Sequence, residues 1–308
     1  MGSQAQAATK PRLTRFQQRT RRIRRVQHAR RLTQLVVGGA LLVAAVQHQL
    51  EKGAGAASVD ALCPFGAVET LVTWVTTGTL ISKVHPSNLV LGLAVLVATV
   101  LVGNAFCGWM CPFGAVQDAL AWVRRKLRLP AVTPPRAVDR ALRWGRLVVL
   151  GVVVYFSYTT GRLWFADYDP YVTLFGLHWL FGSETAGLWV ALAVLGVVVA
   201  GSLVVERFWC RYLCPLGAVF AVLGRFSLLR LRRSPTACTE CTLCDRACPV
   251  GIEPSKAQPF VSSDCIGCMD CVTTCPVPRA LSVTGPVLLG IPSVPKASPD
   301  EKKPVEAR

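Results

Sequence analysis

Residues 238–276 read CTECTLCDRACPVGIEPSKAQPFVSSDCIGCMDCVTTCP. Within them CTECTLCDRACP (Cys238–Pro249) and CIGCMDCVTTCP (Cys265–Pro276) share one spacing, Cys-x2-Cys-x2-Cys-x3-Cys-Pro. Three thiolates on one tight loop can face three corners of an iron–sulfide cube. A fourth, placed after a turn, points at the neighbouring cube, as in bacterial runs of this spacing. The spacing assigns one [4Fe–4S] cluster to Cys238, Cys241, Cys244 and Cys275, and a second to Cys248, Cys265, Cys268 and Cys271. Pro249 and Pro276 stop the local turn and redirect the chain, and Gly267 lets backbone N–H groups approach the cluster sulfur. Paired Cys-x2-Cys also suits tetrahedral zinc. Four cysteines in eleven residues, doubled in the same register, fit zinc poorly.

Upstream of this block the chain alternates between apolar runs and basic connections. It has 308 residues, is 52% hydrophobic and carries a formal net charge of +17. Residues 1–33 hold ten Lys/Arg and no acid, residues 119–146 eight against Asp139 alone, and residues 206–233 six against Glu206 alone. The other two connections, 48–87 and 161–186, hold two and one basic residues with three acids each. A nucleic-acid arm could also give such a charge. Here the basic blocks flank apolar runs, the pattern that keeps loops cytoplasmic, so no nucleic acid is expected. Leu89–Phe106 and Leu188–Val205 are eighteen-residue uncharged runs, near the length a bilayer needs. Leu35–Val46 and Leu147–Tyr158 have only twelve residues. They become spans when extended over flanking Gly, Thr, Gln and Tyr, and the charge map requires them. Four crossings then place both termini and every basic block in the cytoplasm. Thiols there stay reduced and free to bind metal. The basic start lacks a compact apolar core with a cleavage site, so it reads as a cytoplasmic tail before a retained helix.

The chain also repeats itself. FCGWMCPFGAV (Phe106–Val116) and WCRYLCPLGAV (Trp209–Val219) match at an offset of 103 residues. Looser echoes stand before each, LCPFGAV at Leu62–Val68 and YDPYVTL at Tyr168–Leu174. Repeats of this kind build shared sites at the repeat interface. Cys107, Cys111, Cys210 and Cys214 all fall at the inner membrane face. Pro112 and Pro215 suit the first turn of new helices, such as Pro112–Lys126. Cys111 and Cys214 would then sit at helix N-termini, where negative charge is favoured. These four thiols would bind a further iron–sulfur cluster or form a dithiol relay, against the plainer reading as small packing residues. Cys63 reads as a structural cysteine away from the inner face, or as a contact to a partner's redox centre. Glu69, Asp167 and Asp169 read as caps or solvated acids, or as proton relays. His85 and His178 read as solvated loop residues, or as groups taking protons from a quinol. No Cys-x2-Cys-His, G-x-G-x-x-G or Walker run occurs, so neither c-type haem nor a nucleotide is expected.

Two spans each closed by Cys-x3-Cys-Pro, followed by two cluster runs, resemble the NapH-type membrane polyferredoxins over about residues 33–283. The order is similar, too, to the membrane half of NosR-type proteins and, more loosely, to CcoG-type proteins. The CPFGAVETL, TTGTL and HPSN segments depart from the nitrate-linked members. The resemblance implies a fold, a cofactor set and partners. The fold is an all-α membrane protein with four transmembrane helices in two pseudo-repeats and a small bacterial-type 2[4Fe–4S] ferredoxin-like segment. Its parts are a basic tail (1–33), a membrane domain (34–233), the ferredoxin-like segment (234–283) and a disordered tail (284–308). The protein would sit in the bacterial inner membrane among lipid and move electrons from the quinol pool to a periplasmic reductase. The alternatives are delivery from a cytoplasmic donor to a periplasmic flavoprotein, or maturation of a membrane metalloenzyme.

Overall fold

The computed structural model describes residues 15–50, 59, 63–77, 86–161, 164–180, 187–258, 260–277 and 280–285. His85 and most of the expected tail lie outside the described residues. The chain begins with α1 (Arg15–Leu50), thirty-six residues without a break. The basic stretch up to residue 33 is therefore no separate tail from Arg15 onward. It continues directly into the apolar half of the helix.

The apolar runs behave differently from expectation. The two uncharged eighteen-residue runs form the shorter helices, α3 (Pro86–Val102) and α9 (Leu188–Val204), of seventeen residues each. Gly103, with φ +72°, stops the first. Extended Val205 and left-handed Arg207 stop the second. The chain thereby turns into two five-residue helices, α4 (Ala105–Trp109) and α10 (Phe208–Tyr212), which carry Cys107 and Cys210. The two twelve-residue runs lie instead in the long helical stretches Arg25–Leu50 and Arg136–Thr160, of 26 and 25 residues. These two are long and apolar enough to cross a membrane. The second comprises α6 (Arg136–Arg143) and α7 (Gly145–Thr160).

The repeat is visible as a local fold used four times. Helices α2 (Pro64–Thr77), α5 (Pro112–Lys126), α8 (Pro170–Phe175) and α11 (Pro215–Leu223) each start at a proline. Proline suits the first helical position because its missing N–H has no intrahelical partner there. The residues before three of them have nearly one backbone geometry: φ, ψ of −64°, 115° at Cys111, −68°, 118° at Asp169 and −64°, 116° at Cys214. The glycines two residues after Pro112 and Pro215 are required sterically. A Cβ on Gly114 would lie 2.7 Å from the Cys107 carbonyl oxygen, and one on Gly217 3.2 Å from that of Cys210.

Phe65, Phe113, Phe165, Tyr171, Trp209, Leu216 and Phe220 form the core among these helices, with Cys63, Cys107, Cys111 and Cys214 packed against it. The C-terminal lobe is closed by an antiparallel pair, β1 (Arg230–Arg233) and β2 (Leu281–Thr284), registered Arg230 to Thr284. The architecture is therefore mostly helical rather than purely so. The strand that seals the ferredoxin-like segment starts just ahead of residue 234.

Candidate functional site: three cysteine-lined cavities

The eight C-terminal cysteines separate into the two interleaved sets. Cys238, Cys241, Cys244 and Cys275 line one pocket, and Cys248, Cys265, Cys268 and Cys271 line another. The short helices α12 (Leu243–Arg246) and α13 (Asp270–Thr274) carry the third cysteine of each run and pack together. That packing brings each fourth cysteine across to the other run. Left-handed Thr242, Met269 and Gly267 bend the loops to make this possible.

The thiols are spread around cavity walls. Among the described residues, no three His, Cys, Asp or Glu side chains close on a single ion. The second quartet surrounds about 400 Å³, room for a multi-atom group. The first encloses only about 20 Å³, with Cys241 exposed at its edge. A cluster there would stand at the surface and require those side chains to draw back.

Burial pushes the Cys265 thiol up to about 11, against the N–H of Gly267, which favours the thiolate. Burial, then Asp245, pushes Cys244 up to about 12. Burial drives Cys268 and Cys271 higher still. Backbone amides of Val250, Gly251 and Ile252 point at Cys248. The loops are thus shaped for thiolates, yet as free groups Cys244, Cys248, Cys265, Cys268 and Cys271 keep their protons. Iron would have to displace those protons on binding. A soft all-thiol donor set with converging amides fits an iron–sulfur cluster.

The third cavity holds about 500 Å³ and lies in the helical half. Cys107, Cys111, Cys210 and Cys214 all line it, so the repeat does bring its two pairs together. Cys63 and Asp169 line it as well. Cys63 is thus not set apart from the inner pairs. Cys111 and Cys214 cap α5 and α11, each Sγ accepting from the glycine N–H three residues on at 3.4 Å. Asp169 caps α8 and accepts from Tyr171 N–H at 2.9 Å. Cys210 Sγ accepts from Gln117 Nε2 at 3.0 Å. Glu69 is buried on α2, where Ser157 Oγ donates to it at 2.6 Å. His178 lies beside Gln49 Nε2, with Nδ1 at 3.2 Å.

This cavity and the second quartet are neighbours. Asn104, Val250 and Ile266 line both. Cys107 packs against a cluster formed by Val250, Ile266 and Cys268. Trp109 Nε1 donates to the Gly267 carbonyl at 3.1 Å. A Cβ on Gly108 would fall 2.2 Å from the Ile266 carbonyl oxygen. Gly108→Ala is therefore expected to push the two loops apart and destabilise the protein by about 1–3 kcal/mol. Denaturant unfolding in detergent reads this. An unchanged midpoint would show that the loops do not touch.

The spacing of cysteines revealed none of the polar clamp around these loops. Arg207, 1% exposed, pairs with Asp118 through Nε and Nη2 at 2.8 and 2.7 Å and donates to the Cys107 carbonyl at 2.9 Å. Arg30 of α1 reaches Asp118 at 2.6 Å, the Gly108 carbonyl at 2.8 Å and Asp270 at 3.3 Å. Gln27 donates to the Cys268 carbonyl at 3.1 Å. Arg143 and Arg146 pair with Asp264 at 3.0 and 2.6 Å. In sequence these arginines belong to the basic blocks that flank the apolar runs. Only the fold distinguishes the buried ones.

Comparison with known proteins agrees with the donor chemistry. A family described as "4Fe-4S binding domain" matches twice, at residues 84–130 and 187–234, the two segments holding the Cys-x3-Cys-Pro pairs. A "4Fe-4S dicluster domain" matches residues 230–276. The chain is 29% identical to the putative electron transport protein YccM of Escherichia coli over 73% of its own length and 63% of that protein's. It is 32% identical to the ferredoxin-type protein NapH of Haemophilus influenzae over 59% of the chain and 63% of the relative. It is 30% identical to the methylamine utilization ferredoxin-type protein MauN of Methylobacillus flagellatus, over 65% and 64%. The chain thus spans less than two thirds of these three relatives. No solved structure matches.

Proposed function

We propose that this iron–sulfur electron-transfer protein, whose homologues are ferredoxin-type electron-transport proteins with 4Fe–4S binding domains, is a four-span inner-membrane carrier that takes electrons from the quinol pool to a periplasmic acceptor. The observation that carries this reading is the shared wall. The second C-terminal quartet and the five-thiol cavity of the helical half meet at Val250, Ile266 and Asn104. A water-soluble two-cluster lobe has no need of a thiol-lined cavity behind it. A chain that moves electrons between water and lipid does.

The membrane reading adds α3 and α9 to the two long helical stretches. At 1.5 Å per residue, seventeen residues reach about 26 Å, just short of a hydrocarbon core of about 30 Å. Helices α4 and α10 continue beyond them. The basic connections then share one side, which favours cytoplasmic termini.

Cys238, Cys241, Cys244 and Cys275 would hold one cluster, and Cys248, Cys265, Cys268 and Cys271 the other. The cavity that Cys107, Cys111, Cys210 and Cys214 line is the candidate site of a further cluster or a dithiol relay. When bound, the clusters supply one-electron transfer. The chain's own residues fix the sites, aim amides at the sulfur ligands and keep water from the wall between them. Through that wall, apolar Val250 and Ile266 leave little to reorganise.

The protein is expected to require detergent for extraction, to be brown when isolated anaerobically, and to show cluster EPR signals on addition of a quinol analogue. Stoichiometric zinc without acid-labile sulfide would sink the carrier reading. Signals that form with dithionite but not with quinol would remove the quinol donor, favouring a cytoplasmic donor or a maturation role.

A further inference from the structure

The cavity in the helical half is lined by five thiols and two carboxylates, Asp169 and Asp264, whereas a cubane has four iron corners to fill; Asp264 is already held by Arg143 and Arg146. Four of these donors arise from one local fold. Cys63, Cys111, Asp169 and Cys214 each immediately precede the proline that starts α2, α5, α8 or α11. Backbone amides fix their donor atoms at the helix starts: Gly114 N–H on Cys111, Gly217 N–H on Cys214, Tyr171 N–H on Asp169, and the amides of Phe65 and Gly66 on Cys63. All four line the same space, and they come in two pairs, one pair from each repeat.

Cys107 and Cys210 line the same space but precede no proline, and each has a further neighbour. Cys107 packs against Val250, Ile266 and Cys268, toward the second quartet. Cys210 is engaged by Gln117. Resting on the proposed membrane centre, we propose that its ligands are the four cap residues, the thiolates of Cys63, Cys111 and Cys214 and the carboxylate of Asp169. The site would take a [4Fe–4S] cluster with one iron on oxygen. Cys107 then stands between this centre and the second ferredoxin cluster. The carboxylate distinguishes one corner, because oxygen donates less electron density to iron than sulfur does.

The test uses the full chain, purified anaerobically in detergent, with iron, acid-labile sulfide and EPR measured together. Wild type is expected to hold about twelve irons, about four per cluster. Cys63→Ser and Asp169→Asn both leave a side chain able to cap a helix, so they should fold, and the ferredoxin signals report that they do. Each is expected to fall to about eight irons with the third signal lost. Cys107→Ala and Cys210→Ala should retain about twelve. Asp169→Cys should keep the iron and change the line shape of the third signal. Unchanged iron and spectra in Cys63→Ser and Asp169→Asn would overturn the assignment, as would loss of the third centre in the Cys107 or Cys210 variant. Wild type with only about eight irons would remove the membrane centre itself while leaving the two-cluster carrier intact.

Discussion

Cys275→Ser is expected to cost the chain about four irons and to empty the site built by Cys238, Cys241 and Cys244, a loop some thirty residues upstream. The reason is the interleaving. Cys275 follows α13 and lines the pocket of the first run, whereas its sequence neighbours Cys265, Cys268 and Cys271 line the other. Removing it leaves three thiols around a pocket whose Cys241 wall is already exposed. Nothing else among that pocket's lining residues offers a thiol in its place. The second cluster site keeps all four of its cysteines. EPR of the reduced variant should therefore keep the second cluster's signal and lose its coupling to the first. Cys275→Ser combined with Cys238→Ser tests the grouping: two ligands of one site should lose no more iron than either alone, since their effects cannot add. If each run instead held its own cluster, the double variant would lose both.

That grouping is legible in the amino-acid order alone, because Cys-x2-Cys-x2-Cys-x3-Cys-Pro is a geometric instruction written in short-range spacing. The starts of α5 and α11 are legible for the same reason, since Pro112 and Pro215 fix the first turn locally. The span lengths are less so. Uncharged Leu89–Phe106 looks like one helix, but a single left-handed residue, Gly103, ends it at Val102. Conversely, the short run Leu35–Val46 lies in the longest helix because Arg30 and Gln34, polar in sequence, are buried against Asp118 and the Gly108 carbonyl. Burial of a polar side chain depends on partners many residues distant, and no local pattern encodes those. The convergence of Cys63 and Asp169 on the cavity is hidden in the same way. The echo between CPFGAV and DPYVTL places both before a proline, but only packing of the two repeats shows that the four helix starts face one space.

Asp118→Ala is expected to be the most destabilising change outside the cysteines, by about 3–5 kcal/mol, because it strands buried cations rather than merely deleting a bond. Arg207 would lose both partners of its fork while still 1% exposed, and Arg30, 6% exposed, would keep only Asp270 and the Gly108 carbonyl. The same two arginines hold the carbonyls of Cys107 and Gly108, so the damage should reach the Cys-x3-Cys loop. Burial alone would raise the Asp118 carboxyl, but Arg207 and Arg30 outweigh it and hold it below its ordinary value of 3.8. A carboxyl depressed in the folded state stabilises at every pH above its unfolded value, and that contribution is lost as pH falls through the folded one. The gap in unfolding midpoint between wild type and Asp118→Ala should thus stay constant from neutrality down to about pH 4 and narrow only below it. Arg124, which pairs with Glu206 beside this clamp, serves as a comparison. Its partner also binds exposed Arg125, so Arg125→Ala should cost no more than about 1 kcal/mol. A gap that closed already between pH 8 and 6, or an Asp118→Ala variant as stable as Arg125→Ala, would show that the clamp does not hold the loops together.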